Sequence, residues 1–141
     1  MNTQTPTDYI FRVGDVVNFW NSSNLFTWGT KTLRGMSTIK KGDRMWFITS
    51  NSNGKIIAAA TFNSINLRGE SGFTDEELGW TGGGGWDYEI HYNELYDVSE
   101  MNLLTNIKCQ TTVSQANKNC QVDLVRAWNW QRVNFLESLL N

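Results

Sequence analysis

Trp28 and Trp80 are the side chains whose type and surroundings best suit recognition chemistry. Trp28 sits in NLFTWGTK, beside Thr27, Thr30, Lys31 and Arg34. Trp80 opens the glycine run GWTGGGGW, and Trp86 closes it. An indole in a polar or glycine-rich loop offers a flat π face. Such a face can stack on a nucleobase or enclose a methylated or cationic group. Stacking contributes about 1–3 kcal/mol per base. Asp15, Asn24 and Thr30 carry donors and acceptors able to read a base edge. Lys31, Arg34, Lys40, Lys41 and Arg44 could hold phosphates. Each assignment has a competing role. The chain has seven Trp in 141 residues, and large aromatic side chains also fill small cores. Trp46, Trp128 and Trp130 read as core. Trp28 and Trp80 stand nearer to a site.

Other chemistries find little support. The one histidine, His91, falls on the polar side of an alternating stretch. It does not share zinc-ligand spacing with Cys109 and Cys120. No G-x-S-x-G is present, and a Ser-His-Asp or Cys-His catalyst would have to recruit His91. The glycine run is followed by no lysine, so it is not a P-loop, and its context is not that of a dinucleotide fingerprint. The two cysteines make no disulfide scaffold and read as reduced thiols. No metal, no cofactor and no catalytic residue is expected.

Charge is segregated along the chain. Net charge is −2, which argues against simple phosphate binding. Residues 1–68 nevertheless carry eight Lys/Arg against three Asp, a balance of +5. Residues 69–100 carry nine acids and no base, and residues 101–141 carry +2. A basic face on an acidic protein is therefore possible, and so is an ordinary solvated surface. The length supports one domain. Hydrophobic residues at 40% exclude disorder. No apolar run is long enough for a membrane helix, and MNTQTPTDYIFRVGD lacks the pattern of a secretory signal. A single intracellular domain over 8–141, with a flexible 1–7 and taken as a monomer, is the expectation.

Several elements must position these side chains. DYIFRV (8–13) reads as a strand ended by Gly14-Asp15. VVNFW (16–20) is apolar without clear period, NSSNLFTWGT (21–30) is rich in turn formers, and TLRGMSTI (32–39) is ambiguous. RMWFITS (44–50), Asn51-Ser52-Asn53-Gly54 and KIIAAATF (55–62) form a hairpin, because Asn-Gly tolerates the positive φ of such turns. Its three alanines leave room for bulky neighbours. Residues 63–79 read as a polar connection in which Thr74-Asp75-Glu76-Glu77 is an N-capped helical turn. WDYEIHY (86–92) alternates as a half-exposed strand, and residues 94–98 continue it or start another. Short strands are expected at 107–113 and 120–128, then a C-terminal helix from about Trp130. The sum is an α+β fold: a curved or barrel-like sheet of five or six strands with two or three short helices.

This order of elements resembles the PUA-like superfamily, in particular its EVE and YTH branches, from about Tyr9 to Leu140. DYIFRVGD resembles the opening strand that ends at a base pocket. NLFTWGTKTLRGM resembles the segment with a pocket Trp followed by small polar residues. KKGDRMWFITSNSNGKIIAAATF resembles the central hairpin, the most specific of these segments. GWTGGGGWDYEIHYNELYDV resembles the loop with a second pocket Trp and its following strand. Two segments depart from the pattern: Val13-Gly14-Asp15 stands where both branches favour Lys-Ser or Ser-Asn, and Lys31-Thr32-Leu33-Arg34 replaces an Arg-Asn.

The resemblance implies recognition of a modified base: methylated adenine in RNA for the YTH branch, modified cytosine in DNA for the EVE branch. Carried over, Trp28 is the first wall of an aromatic cage. Trp80 is the second wall, with Trp86 as its substitute. Asp15 and Thr30 stand where polar groups contact the base, and Asn24 is a looser match. The related ASCH branch contains base-modifying hydrolases, but no Lys/Glu catalytic set is evident here. The leading reading is a non-enzymatic nucleic-acid reader, in which Trp28→Ala loses binding and keeps the fold. A free-nucleotide pocket using the same Trp residues is one rival. A protein-interaction domain presenting the acidic 69–100 segment is the other.

Overall fold

The computed structural model describes residues 5–49, 55–81, 85–101, 113–116 and 124–132. Strand β1 (Asp8–Val13) leads into helix α1 (Val16–Ser23) and strand β2 (Thr27–Thr30). Strands β3 (Arg44–Thr49) and β4 (Ile56–Leu67) follow, then the single-turn helix α2 (Asp75–Leu78). Strand β5 (Tyr88–Asp97), a 3-10 turn (Ser99–Met101) and strand β6 (Val113–Gln115) come next. Residues 124–132 form a last helix, α3. The strands make one sheet in the order β2-β5-β4-β3-β1-β6. All neighbours are antiparallel except β1 and β3.

Strand alternation sends side chains to two cores. Tyr9, Phe11, Val13, Met45, Phe47, Ala58 and Ala60 face one, under α1 and α2. Ile10, Trp46, Ile48, Ile56 and Ala59 face the other, against Leu124, Ala127 and Trp128 of α3. The alanines of β4 make the expected room: Trp46 meets Trp128 edge-on at 6.2 Å on Ala59's side of the sheet. The register of β4 shifts once against β3 and twice against β5. At the first β5 shift Glu94 takes φ +50. Such bulges bend and twist a strand pair, and they curl this sheet into a half-barrel.

Several expectations change. VVNFWNSS is helical: the Asp15 side chain accepts the Asn18 N–H at 2.9 Å and caps the first turn. Residues 63–67 are not connection but the end of β4, with Ser64–Leu67 in register with His91–Tyr88. Residues 124–128 are helical rather than extended, because Leu124, Ala127 and Trp128 recur at the three- and four-residue spacing of a helix face. The Thr7 N–H donates to Asp43 at 3.0 Å. The Asn-Gly turn, Cys109, Cys120 and the C-terminal residues beyond 132 lie outside the described residues.

Candidate nucleic-acid interface

Three tryptophans converge at one end of the first core. Trp28, central in β2, and Trp80, just after α2, are each 6% exposed. Their rings meet edge-on at 6.2 Å. Trp86 is half-buried, and its ring lies 4.8 Å from that of Trp80. Trp86 therefore joins Trp80 rather than standing in for it. Phe19 of α1 supports Trp28 from behind at 5.5 Å. Gly29 makes the convergence possible: a Cβ there would lie 2.8 Å from Trp86 Cγ and 2.9 Å from Trp80 Cη2.

The backbone carrying Trp80 is held by α1 and by its own helix cap. Asn18 donates to the Thr81 carbonyl at 3.0 Å and accepts the Thr81 N–H at 3.2 Å. Asn21 donates to the Gly79 carbonyl at 2.9 Å. Thr74 and Glu77 form the capping box of α2, and Gly79 ends that helix at φ +72. Trp80 Nε1 is buried with no hydrogen-bond partner among the described residues. An unmet buried donor costs about 1–3 kcal/mol, which an acceptor on a ligand would recover.

A charged network underlies the cluster. Arg68 lies over the Trp80 ring at 5.4 Å. It donates to Glu89 at 2.7 Å, to the Phe73 carbonyl at 2.8 Å and to Asp75. Glu89 pairs with Gly29 across the β2–β5 ladder and is fully buried. The alternating pattern had placed it on a solvated side. Its carboxylate also accepts from the Gly69 N–H at 2.9 Å and is bonded to His91 Nε2. His91 Nδ1 in turn meets Thr27. Burial opposes the charged form of Glu89. The hydrogen bonds from Gly69 and Ser71 and the pairing with Arg68 outweigh it, so the group titrates below the ordinary glutamate value.

A group depressed in the folded state stabilises above its unfolded pKa, and that contribution is lost as pH falls through the folded pKa. Stability is therefore expected to decline as pH drops below about 4.3, the ordinary glutamate value. Melting curves for the wild type and Glu89→Gln check this. The variant should start lower at neutral pH and show a shallower acid slope.

The structure separates the remaining candidates. Asp15 caps α1 through one carboxylate oxygen and is exposed. Asn24 is exposed at the other end of α1, where it donates to Asn21. Nine residues at 1.5 Å rise put the two about 13 Å apart, too far to read one base together. The Thr30 hydroxyl is buried and bonded to both the carbonyl and the N–H of Thr32, so it closes a turn. Lys31 passes within 3.9 Å of the Cβ position at Gly85, beside Trp86. Arg34 is exposed on the segment after β2. Lys40 and Lys41 line a different cavity.

Arg44 corrects the sequence reading. Alternation puts it on the face of Trp46, opposite the tryptophan cluster. There Asp8 binds Arg44 Nε at 2.8 Å and Nη2 at 3.0 Å, so it does not hold a phosphate. Residue reading also missed Asn18, Gly29, Arg68 and Glu89. Only Gly29, directly after Trp28, carried a signal.

No protein-family model matches the sequence, and no curated protein matches it. Solved structures share its fold at very low identity. A tyrosine-to-phenylalanine mutant of the ASCH protein from Zymomonas mobilis aligns at TM-score 0.55 and 9% identity, over 85% of this chain and 97% of that one. The YTH domain of Zygosaccharomyces rouxii MRB1, solved with N6-methyladenosine RNA, aligns at TM-score 0.52 and 10% identity, over 86% and 85%. The Pho92 YTH domain, solved in complex with m6A, aligns at TM-score 0.51 and 10% identity, over 89% and 85%. The chain thus has the PUA-like α+β fold that ASCH and YTH domains share.

Proposed function

We propose that this protein is a non-enzymatic reader that takes a methylated base of RNA against Trp28, Trp80 and Trp86. The observation that carries the reading is the convergence of the Trp80 and Trp86 rings on Gly29, next to Trp28, with the buried Trp80 Nε1 donor lacking a hydrogen-bond partner among the described residues. Two solved structures of the same fold contain m6A or RNA bearing N6-methyladenosine, which favours a methylated adenine in RNA over a modified cytosine in DNA. Lys31, beside Trp86, holds the adjoining phosphate, and Arg34 extends the basic path. Asp15 keeps a carboxylate oxygen available for the base edge. Burying the methyl group contributes about 0.8 kcal/mol. Cation–π character would add about 0.5–1 kcal/mol.

Titration of tryptophan fluorescence with short single-stranded oligonucleotides, each with and without a methylated adenine or cytosine, tests the reading. Selective quenching by methyladenine RNA is the expected result. Trp86→Ala should abolish it while the protein stays folded, since Trp86 is half-buried. Equal quenching by every oligonucleotide would replace the reader with a general single-strand binder. No response from a folded protein would overturn nucleic-acid binding and favour the free-nucleotide or protein-partner readings.

A further inference from the structure

Toward the other edge of the sheet from β2, a cavity of about 610 Å³ opens between the start of β1, the segment before β3 and the end of β6. Its rim is a tight turn. The Asp43 N–H donates to the Lys40 carbonyl at 2.9 Å, and Gly42 at φ +97 supplies the left-handed third position that a type II turn requires. Lys41 thus stands exposed at the outer corner. The one carboxylate among the described lining residues, Asp43, is buried and already used. One oxygen accepts the Thr7 N–H at 3.0 Å, the other the Lys40 N–H at 2.9 Å. It braces the turn through these two bonds.

Also in the lining, the Tyr9 and Thr38 hydroxyls lie 2.7 Å apart. One proton serves that bond, so the pair retains one O–H to donate into the cavity. Ser37 and Gln115 add further polar groups. Met36, buried in the first core, and Ile39, packed against it, anchor the wall. A cation at the rim, hydroxyl donors in the lining and a carboxylate already accepting two N–H bonds suit a compact anion rich in acceptors.

We infer that this cavity is a phosphate site. Its source is either a phosphodiester of the strand whose base meets the tryptophans, which rests on the proposed function, or a free phosphate group such as that of a mononucleotide. The segment 31–41 joins the two places, with Lys31 beside Trp86 and Lys41 at the cavity. Titrating the full chain with inorganic phosphate under amide-resolved NMR should move the signals of Thr38 and Lys41 saturably. Lys41→Glu should weaken that binding at least tenfold and Lys41→Arg restore it, both with unchanged melting. No saturable shift, or a shift that survives Lys41→Glu, overturns the site.

The source is read from oligonucleotide binding at rising salt. If a phosphodiester fills the cavity, Lys41→Glu lowers the salt slope by about one unit. If a free phosphate fills it, the slope is unchanged while the phosphate shifts are still lost. Phosphate binding without any oligonucleotide response would defeat the proposed reader and leave this site standing.

Discussion

Asp8→Ala is expected to destabilise the fold by about 3–5 kcal/mol, the usual cost of stripping one partner from a buried ion pair. Asp8 is 2% exposed. Its carboxylate receives Arg44 through Nε and Nη2, and Trp46 Nε1 at 2.8 Å. Removing it strands a guanidinium and an indole N–H against the face packed by α3. Small domains hold a total of about 5–15 kcal/mol, so the loss is a large share. A fall in the urea midpoint without a change in slope is the readout. Arg44→Met added to Asp8→Ala should recover part of the loss, because no unpaired charge then remains. A loss for Asp8→Ala below about 1 kcal/mol would show that solvent reaches the pair, as exposed pairs contribute that little. Neither residue touches the tryptophan cluster, so any change in base binding should follow stability alone.

That ion pair also shows where residue reading stops. Arg44 belongs to a run of basic residues from Lys31 onward, and in sequence it reads like the others. Its role follows from parity: it shares a strand face with Trp46, and β1 places Asp8 directly opposite in parallel register. The β1–β3 partnership spans 36 residues, and no local pattern announces it. The β3–β4 pairing was legible because its strands are β-branched and aromatic and lie close in sequence. The capping box at Thr74 and Glu77 was legible because its residues sit three positions apart. Helix α1 was not, because VVNFWNSS is poor in strong helix formers. Only its Asp15 cap marks it.

The candidate site was legible in its aromatic residues and hidden in their supports. Trp28, Trp80 and Trp86 stood out by type and neighbourhood. Glu89 looked solvated because it alternates with apolar residues. The sheet instead sets it opposite Gly29, where Arg68, 21 positions away, neutralises it. Charge pairing between distant strands leaves no periodic trace. Asn18 and Asn21 carried no more weight than any other asparagine until α1 put them on one face, against the backbone at Gly79–Thr81.

The burial of Trp28 reverses one expectation and makes the second large prediction. At the sequence level Trp28→Ala should lose binding and keep the fold. With 6% exposure and ring contacts to Phe19 and Trp80, the truncation should instead cost about 3–5 kcal/mol, as for other core tryptophans. For a domain of this size that lowers the melting temperature by about 10–20 °C. Trp28→Phe keeps an aromatic support and should lose less of both stability and binding. The contrast with Trp86→Ala separates the two jobs of the cluster. Trp86, half-buried, should lose binding with little change in melting, whereas Trp28 should lose both together. If Trp28→Ala melts like the wild type, the ring carries little packing, and its place in the first core is wrong. If it melts early yet binds methyladenine RNA normally at low temperature, Trp28 is a support alone, and the ligand rests on Trp80 and Trp86.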